Sequence, residues 1–236
     1  MKRILFLTAL MLIALVGVQA QTLDNVLEKH FAATGQEKLA AVKTFDITAK
    51  MSVMGMEMPM TIKVKKPNKF KVEMEMMGQK TISAFDGSKG WMINPMMGAG
   101  VKDLEGAELK QAMTQADMEG ELYHYAQKGH KAELMGKVNE DGKDAYEIKL
   151  TNKDTSVKTY FIDADSYLIT KVKANVEAMG QSMDVETKML EYQEVNGIKM
   201  ARKIEASMPM GSMTTIMEEI KINENIDDSV FKRPAN

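Results

Sequence analysis

The chain has no cysteine among its 236 residues. This absence excludes disulfides, thiolate metal sites and a lipid attached to an N-terminal cysteine. Histidine is scarce, and His30, His124 and His130 lack metal-ligand spacing with carboxylates. No HExxH, GxSxG or phosphate-loop motif occurs. We therefore predict no catalytic residue, no metal site and no cofactor, and we expect that the protein is not an enzyme.

Long apolar runs are missing beyond the N-terminus, and basic blocks are missing throughout. Lysine and arginine number 31 against 33 acidic residues, so nucleic acid is excluded as a predicted partner. The first 20 residues combine MKR, the run ILFLTALMLIALVGV and a small-residue VQA, which predicts a signal peptide cleaved after Ala20. We expect residues 21–236 to form one domain in the periplasm, or outside the cell.

Period-two alternation dominates the rest of the chain and predicts antiparallel strands with one apolar face and one wet face. A helix is predicted first, over residues 22–34, with Thr22 as its N-cap and Gly35 as its stop. Residues 101–118 have roughly helical spacing. The predicted strands cover 44–53, 57–65, 69–76, 79–85, 90–94, 132–139, 143–151, 156–163, 167–178, 182–194, 198–208 and 213–223.

Methionine is abundant, with 24 residues, and it gathers in alternate turns. One set of turns reads VMGM (53–56), MMGQ (76–79), PMMGAG (95–100), AMGQ (178–181) and PMGS (209–212). The other set is polar, as in DGSKG (86–90) and EDGK (140–143). The turn NKDT (152–155) is an exception, because it is polar although it falls among the first set. In an up-and-down sheet the first set forms one end, here called the Met-Gly end. It is either the mouth of a cavity or a set of tips covered by the helices.

Three explanations of the methionines remain open. Met56, Met58 and Met60 project from one strand face and favour Cu(I), because thioethers bind soft metals. The second explanation is a packed, methionine-rich core in a structural or interaction protein. A deformable apolar cavity for acyl chains is the third, because methionine adapts to irregular shapes. Arg202 has inward parity and would meet a polar headgroup at the cavity edge, unless a bulge turns it outward.

Several stretches together resemble the LolA family of outer-membrane lipoprotein-sorting proteins. They are LDNVLEKHFAATGQEKL, VKKPNKF, FDGSKGWMINP, YFIDADSYLITKV, YQEVNGIKMARKI and IDDSVFKRP, in order from about 22 to 233. The resemblance implies an unclosed, highly curved antiparallel β-barrel, here of about 11–12 strands, with a helical lid over a hydrophobic cavity. It implies a periplasmic carrier of lipoprotein acyl chains or other lipid, with an inner-membrane donor complex and an outer-membrane acceptor. The family has a functional arginine before the motif's proline, where this chain has Lys66.

These patterns define the predicted site. The lid's inner face would be formed by Leu23, Leu27 and Phe31, and the charged candidates are Lys66 and Arg202. The predicted cavity lining consists of Phe45, Ile47, Met51, Met58, Met60, Ile62, Val64, Phe70, Val72, Met74 and Trp91.

Overall fold

The computed structural model describes residues 21–98, 100–178, 181–209 and 211–234. The predicted signal peptide, residues 1–20, lies outside them. The helices are α1 (Leu23–Thr34), α2 (Gln36–Ala41) and α3 (Gly106–Ala116), with 3-10 turns at Pro95–Met97 and Asp228–Phe231. Thr22 caps α1 by accepting the backbone N–H of Asn25. Within the described part of the chain, no helix is both long enough and apolar enough to cross a bilayer.

The strands form one antiparallel sheet that curls without closing, as predicted. They are β1 (Thr44–Val53), β2 (Met56–Lys65), β3 (Lys69–Met76), β4 (Gln79–Phe85), β5 (Gly90–Ile93), β6 (Val101–Asp103), β7 (Lys131–Glu140), β8 (Lys143–Thr151), β9 (Val157–Asp163), β10 (Ile169–Ala178), β11 (Gln181–Val195), β12 (Ile198–Met208) and β13 (Gly211–Ile222). Their order is β6-β5-β4-β3-β2-β1-β13-β12-β11-β10-β9-β8-β7. The strand that sequence analysis missed is β6, which has three residues and so shows no alternation.

One face of the sheet, the inner face, carries Phe45, Ile47 and Ala49 of β1. Directly paired residues share a face, so the register extends this face across the sheet. It passes through Ile62 and Val72 on one side, and through Ile220 on the other. The alternation in the sequence predicted this face because side chains along a strand alternate between the two sides.

Two hydrophobic clusters pack between the inner face and the helices. The first core cluster joins Phe45, Val64 and Phe70 of β1–β3 to Ala112 and Ala116 of α3. The second core cluster joins Val26 and Leu27 of α1 to Leu122 and to the inner residues of β8 and β9, which are Tyr146, Ile148, Leu150, Tyr160 and Ile162. The helical cover is therefore divided: α3 lies over one half of the sheet and α1 over the other.

The outer face of β3–β6 is sealed by the C-terminal segment. Trp91 pairs with Ala84, which pairs with Lys71, so Trp91 lies on the outer face. Its indole N–H donates to the carbonyl oxygen of Phe231 at 2.9 Å, and Phe231 itself is fully buried. The prediction that Trp91 lines the cavity is therefore wrong. The four residues of β5 are too few for a pattern that would reveal which side faces inward.

The α1–α2 junction tolerates only glycine. Gly35 has φ +71°, and a Cβ there would lie 2.1 Å from the carbonyl oxygen of Gly197. Gly78 has a similar φ of +75° but open space around it. We expect Gly35→Ala to cost about 1–3 kcal/mol more in unfolding free energy than Gly78→Ala, because both variants carry the left-handed strain and only one carries the clash. Urea unfolding of both variants measures this difference, and equal losses would contradict it.

Candidate functional site

Much of the inner face toward the Met-Gly end lies outside the two core clusters. Most of its side chains are apolar and partly buried, although Thr81, Thr187 and Thr215 lie among them, and we call its partly buried methionines the methionine floor. The methionine floor consists of Met51, Met58, Met74, Met76, Met183, Met189, Met208 and Met213. Contiguous apolar surface of this kind usually marks an interaction site, so the methionine floor is the candidate site.

The turns at the Met-Gly end also expose apolar tips. Met54 is 78% exposed, Met77 is 87% exposed and Met96 is 71% exposed. The antiparallel strand order places the β1–β2, β3–β4, β5–β6 and β12–β13 turns at one end of the sheet. The predicted turn 178–181 includes Met179 and Gly180, which lie outside the described residues, as do Ala99 and Met210. The exposed tips do not fit the alternative in which helices cover them.

The structure separates the predicted lining residues into three groups. Phe45, Ile47, Val64 and Phe70 are buried in the first core cluster, with Ile62 and Val72 packed partly buried against it. Met60 is buried at the border of this cluster, whereas Met51, Met58 and Met74 belong to the methionine floor. Trp91 alone lies on the outer face. Ten of the eleven residues thus share the inner face, although the helices cover most of them.

The predicted lid residues cover different strands from the lining residues. Leu23, Leu27 and Phe31 pack in the second core cluster, over β8–β10, and not over β1–β3. A helix's apolar stripe predicts that one face is buried but does not identify the strands beneath it. The cover over β1–β3 is α3, for which sequence analysis gave only the helical spacing of residues 101–118.

The β9–β10 turn anchors α1 through Tyr167. The Nδ1–H of His30 donates to the Tyr167 carbonyl oxygen at 2.8 Å, and Lys29 Nζ donates to the Tyr167 hydroxyl at 3.1 Å. Burial lowers the pKa of His30 from its ordinary value of 6.5, and the hydrogen bond to Tyr167 opposes this only in part. The histidine of α1 is therefore held neutral inside the second core cluster.

This burial predicts a loss of stability in mild acid. Since the pKa of His30 is lower in the folded state, the unfolded chain binds more protons below about pH 6.5, and the free energy of unfolding falls as pH falls. We expect a slope of at most about 1.4 kcal/mol per pH unit, ending at the folded-state pKa. Urea unfolding between pH 7.5 and 5.5 measures it. His30→Gln should flatten the dependence of the unfolding free energy on pH, whereas His124→Gln, at an exposed histidine, should not. Parallel pH profiles for wild type and both variants would contradict the assignment of the slope to His30.

Lys66 connects three elements at the polar end of the sheet. Its ammonium donates to the Ala40 carbonyl oxygen at the end of α2 and lies 2.6 Å from Glu119 Oε1, in the segment after α3. The Glu119 carbonyl oxygen in turn accepts a hydrogen bond from the Gln36 side chain at 2.8 Å. We call Lys66, Ala40 and Glu119 the Lys66 latch. Sequence analysis found Lys66 but missed both partners, because nothing local links them to it.

The strand register keeps Arg202 on the inner face, between Met200 and Ile204, and its role at the cavity edge stays a prediction. Its side chain is 48% exposed, and its Nη1 lies 2.9 Å from Glu191 Oε2 on the neighbouring strand. Glu191 has φ +50°, a local irregularity in β11, but the pairings on both sides of it keep the same register. Arg202 and Glu191 thus form a solvent-exposed ion pair on the inner face, and such a pair contributes little to stability.

Comparisons with solved structures identify the fold. A DUF1329 family protein from Desulfovibrio piger superposes with a TM-score of 0.60 at 12% identity, covering 88% of this chain and 97% of its own. A LolA superfamily protein from Nitrosomonas europaea gives 0.60 at 13% identity, covering 91% and 99%. A domain from Vibrio parahaemolyticus, assigned to outer membrane lipoprotein sorting, gives 0.59 at 12% identity, covering 88% and 97%.

The class of fold is therefore settled: the chain has a LolA-like fold, as its sequence motifs indicated. At these identities the likeness concerns the fold alone. No family model matches the chain, and no curated protein matches it in sequence.

Proposed function

We propose that this protein is a periplasmic carrier, not an enzyme, that binds acyl chains of lipoproteins or related lipids on the inner face. The observation that carries this proposal is the methionine floor, an apolar surface left partly open beside two helix-covered clusters. Methionine side chains adapt to differing shapes, so this surface suits chains of varying length. The LolA superfamily and lipoprotein-sorting neighbours support the same class of ligand.

The covered part of the inner face extends the binding surface when the helices move. The first core cluster and the methionine floor adjoin on β1–β3, where Met60 of the border pairs with Met74 of the floor. An acyl chain lying on the methionine floor therefore reaches the covered residues once α3 shifts. Transfer from an inner-membrane donor complex to an outer-membrane acceptor is the corresponding route, and the apolar tips surround the place where cargo leaves.

The test is to purify the protein from the exported fraction and to analyse bound material by native and denaturing mass spectrometry. We expect acyl lipid or lipoprotein that is released only on unfolding, and uptake of an apolar dye by the folded, delipidated protein. A protein that carries no lipid and takes up neither lipid nor dye would overturn the carrier proposal and favour a packed core.

A further inference from the structure

A cavity of about 740 Å³ lies between the first two helices and the segment that follows α3. Its lining comes from α1, from the start of α2 and from residues 122–127, and none of the sheet residues that the structure describes contributes to it. This cavity, which we call the α1 cavity, is therefore separate from the methionine floor. Its volume falls in the range of small-molecule sites, which is about 300–1,000 Å³.

The interior of the α1 cavity is apolar and aromatic. Leu27 and Leu122 line it and are each 4% exposed, so they form its bottom. The half-buried rings of Phe31 and Tyr123 meet edge to face, with their centroids 5.2 Å apart, and the His124 ring lies 4.0 Å from that of Tyr123. A surface of this kind covers methylene groups, and the faces of its rings attract cations.

Three carboxylates in the lining of the α1 cavity carry charge that no neighbour balances. Asp24 and Glu28 lie one turn apart on α1, and Glu37 lies in the first turn of α2. Within the described part of the chain, none of these three exposed side chains forms a hydrogen bond or an ion pair. Lys38 also lines the cavity, but its ammonium lies at the β11–β12 turn, where a Cβ on Gly197 would be 2.1 Å from Lys38 Nζ. The three negative charges and one positive charge leave the lining at −2, which favours a cation.

The separation of the carboxylates determines which kind of cation fits. Among the described residues, no group of three or more histidine, aspartate or glutamate side chains is placed to hold a metal ion. The carboxylates of the α1 cavity therefore do not converge on one point, as the oxygen ligands of Ca²⁺ or Mg²⁺ must. Separate charges around an apolar interior suit a long ligand whose cationic groups are joined by methylene groups.

We propose that the α1 cavity binds a linear aliphatic polyamine. The ammonium groups of the polyamine pair with Asp24, Glu28 and Glu37, and its methylene groups lie on Leu27 and Phe31. The proposal does not rest on lipid carriage, because the α1 cavity and the methionine floor share no residue.

Charge-matched variants separate a specific site from general attraction of cations. The site variant is Glu28→Gln/Glu37→Gln, and the control variant is Glu108→Gln/Glu133→Gln, at two exposed glutamates outside the α1 cavity. Both variants lose two negative charges, so their net charges are equal. Spermidine affinity is measured by isothermal titration calorimetry on dialysed protein at about 0.15 M salt, which screens distant surface charges.

We expect one spermidine per wild-type chain and per chain of the control variant. The site variant should bind spermidine about 10-fold more weakly, because each exposed ion pair contributes up to about 5-fold in affinity. A wild-type protein that binds no spermidine at millimolar concentration would overturn the proposal. An equal loss of affinity in the control variant would also overturn it, because net charge alone would then attract the ligand.

Two measurements on unmodified protein test the place and the class of the ligand. Spermidine should shift the backbone amide NMR signals of residues 24–38 and 122–127 and leave those of Met54 and Met77 in place. Shifts confined to the methionine floor or to the apolar tips would refute the site. Choline, which has one positive charge, and Mg²⁺, which has no methylene groups, should each displace spermidine only at much higher concentration. Displacement by either ion at an equal concentration would overturn the assignment to a polyamine.

Discussion

Val72→Lys is expected to abolish acyl lipid uptake while the protein stays folded. Val72 lies on the inner face between Ile62 and Ser83, and it packs partly buried against the first core cluster. An unpaired ammonium there is costly to cover with an acyl chain, because its water must be removed without a counter-charge. A cost of about 3 kcal/mol lowers affinity about 100-fold. Met60→Lys should act in the same direction, with a larger loss of stability because Met60 is buried.

The matched control is Thr61→Lys. Thr61 is also β-branched and lies on β2, but it faces outward between Thr48 and Glu73. We expect its dye and lipid binding to equal wild type in a titration monitored by fluorescence. Circular dichroism and urea unfolding establish that both variants are folded. Unchanged lipid binding by a folded Val72→Lys variant would show that the acyl chain does not lie on the inner face of β3.

The sequence predicted the sheet and its inner face well because the evidence for them is local. Alternation places Ile47, Ile62 and Val72 on one side through the geometry of the strand alone. Antiparallel order also follows from short hairpin turns, which is why the Met-Gly end could be predicted as one end of the sheet. These features need no knowledge of distant contacts.

The failures concern contacts between residues far apart in the chain. The C-terminal segment crosses the outer face and buries Trp91. The indole N–H of Trp91 donates there to a backbone carbonyl oxygen 140 residues away. Met51 pairs directly with Met58, and Met60 pairs directly with Met74, which only the register of the three strands shows. The division of the helical cover between α1 and α3 is likewise set by tertiary packing, which a helix's apolar stripe does not specify.

Lys66→Met is expected to strengthen acyl lipid binding and slow its release. The Lys66 latch joins the β2–β3 turn to α2 and to the segment after α3, so we expect its bonds to break when this cover opens. A ligand that displaces the cover must break the bonds of the Lys66 latch. The free energy needed to break them lowers the affinity of the protein for the ligand. Removing the ammonium destabilises the closed, empty state by about 1–2 kcal/mol, which corresponds to about 5- to 30-fold in affinity.

Two comparisons isolate the latch from simple loss of charge. Lys50→Met removes a more exposed ion pair with Glu218, 3.0 Å long, and should leave lipid affinity unchanged. Lys66→Arg keeps the charge, and its lipid affinity should stay near that of wild type.

Stopped-flow dye uptake and unloading to lipid vesicles measure both directions of exchange. If Lys66→Met releases its ligand as fast as wild type, the latch is only structural; if it releases faster, Lys66 contacts the ligand and stabilises the loaded state instead. Slower release together with lower stability of the empty protein is the combination that a closing latch requires, because one lost interaction then accounts for both.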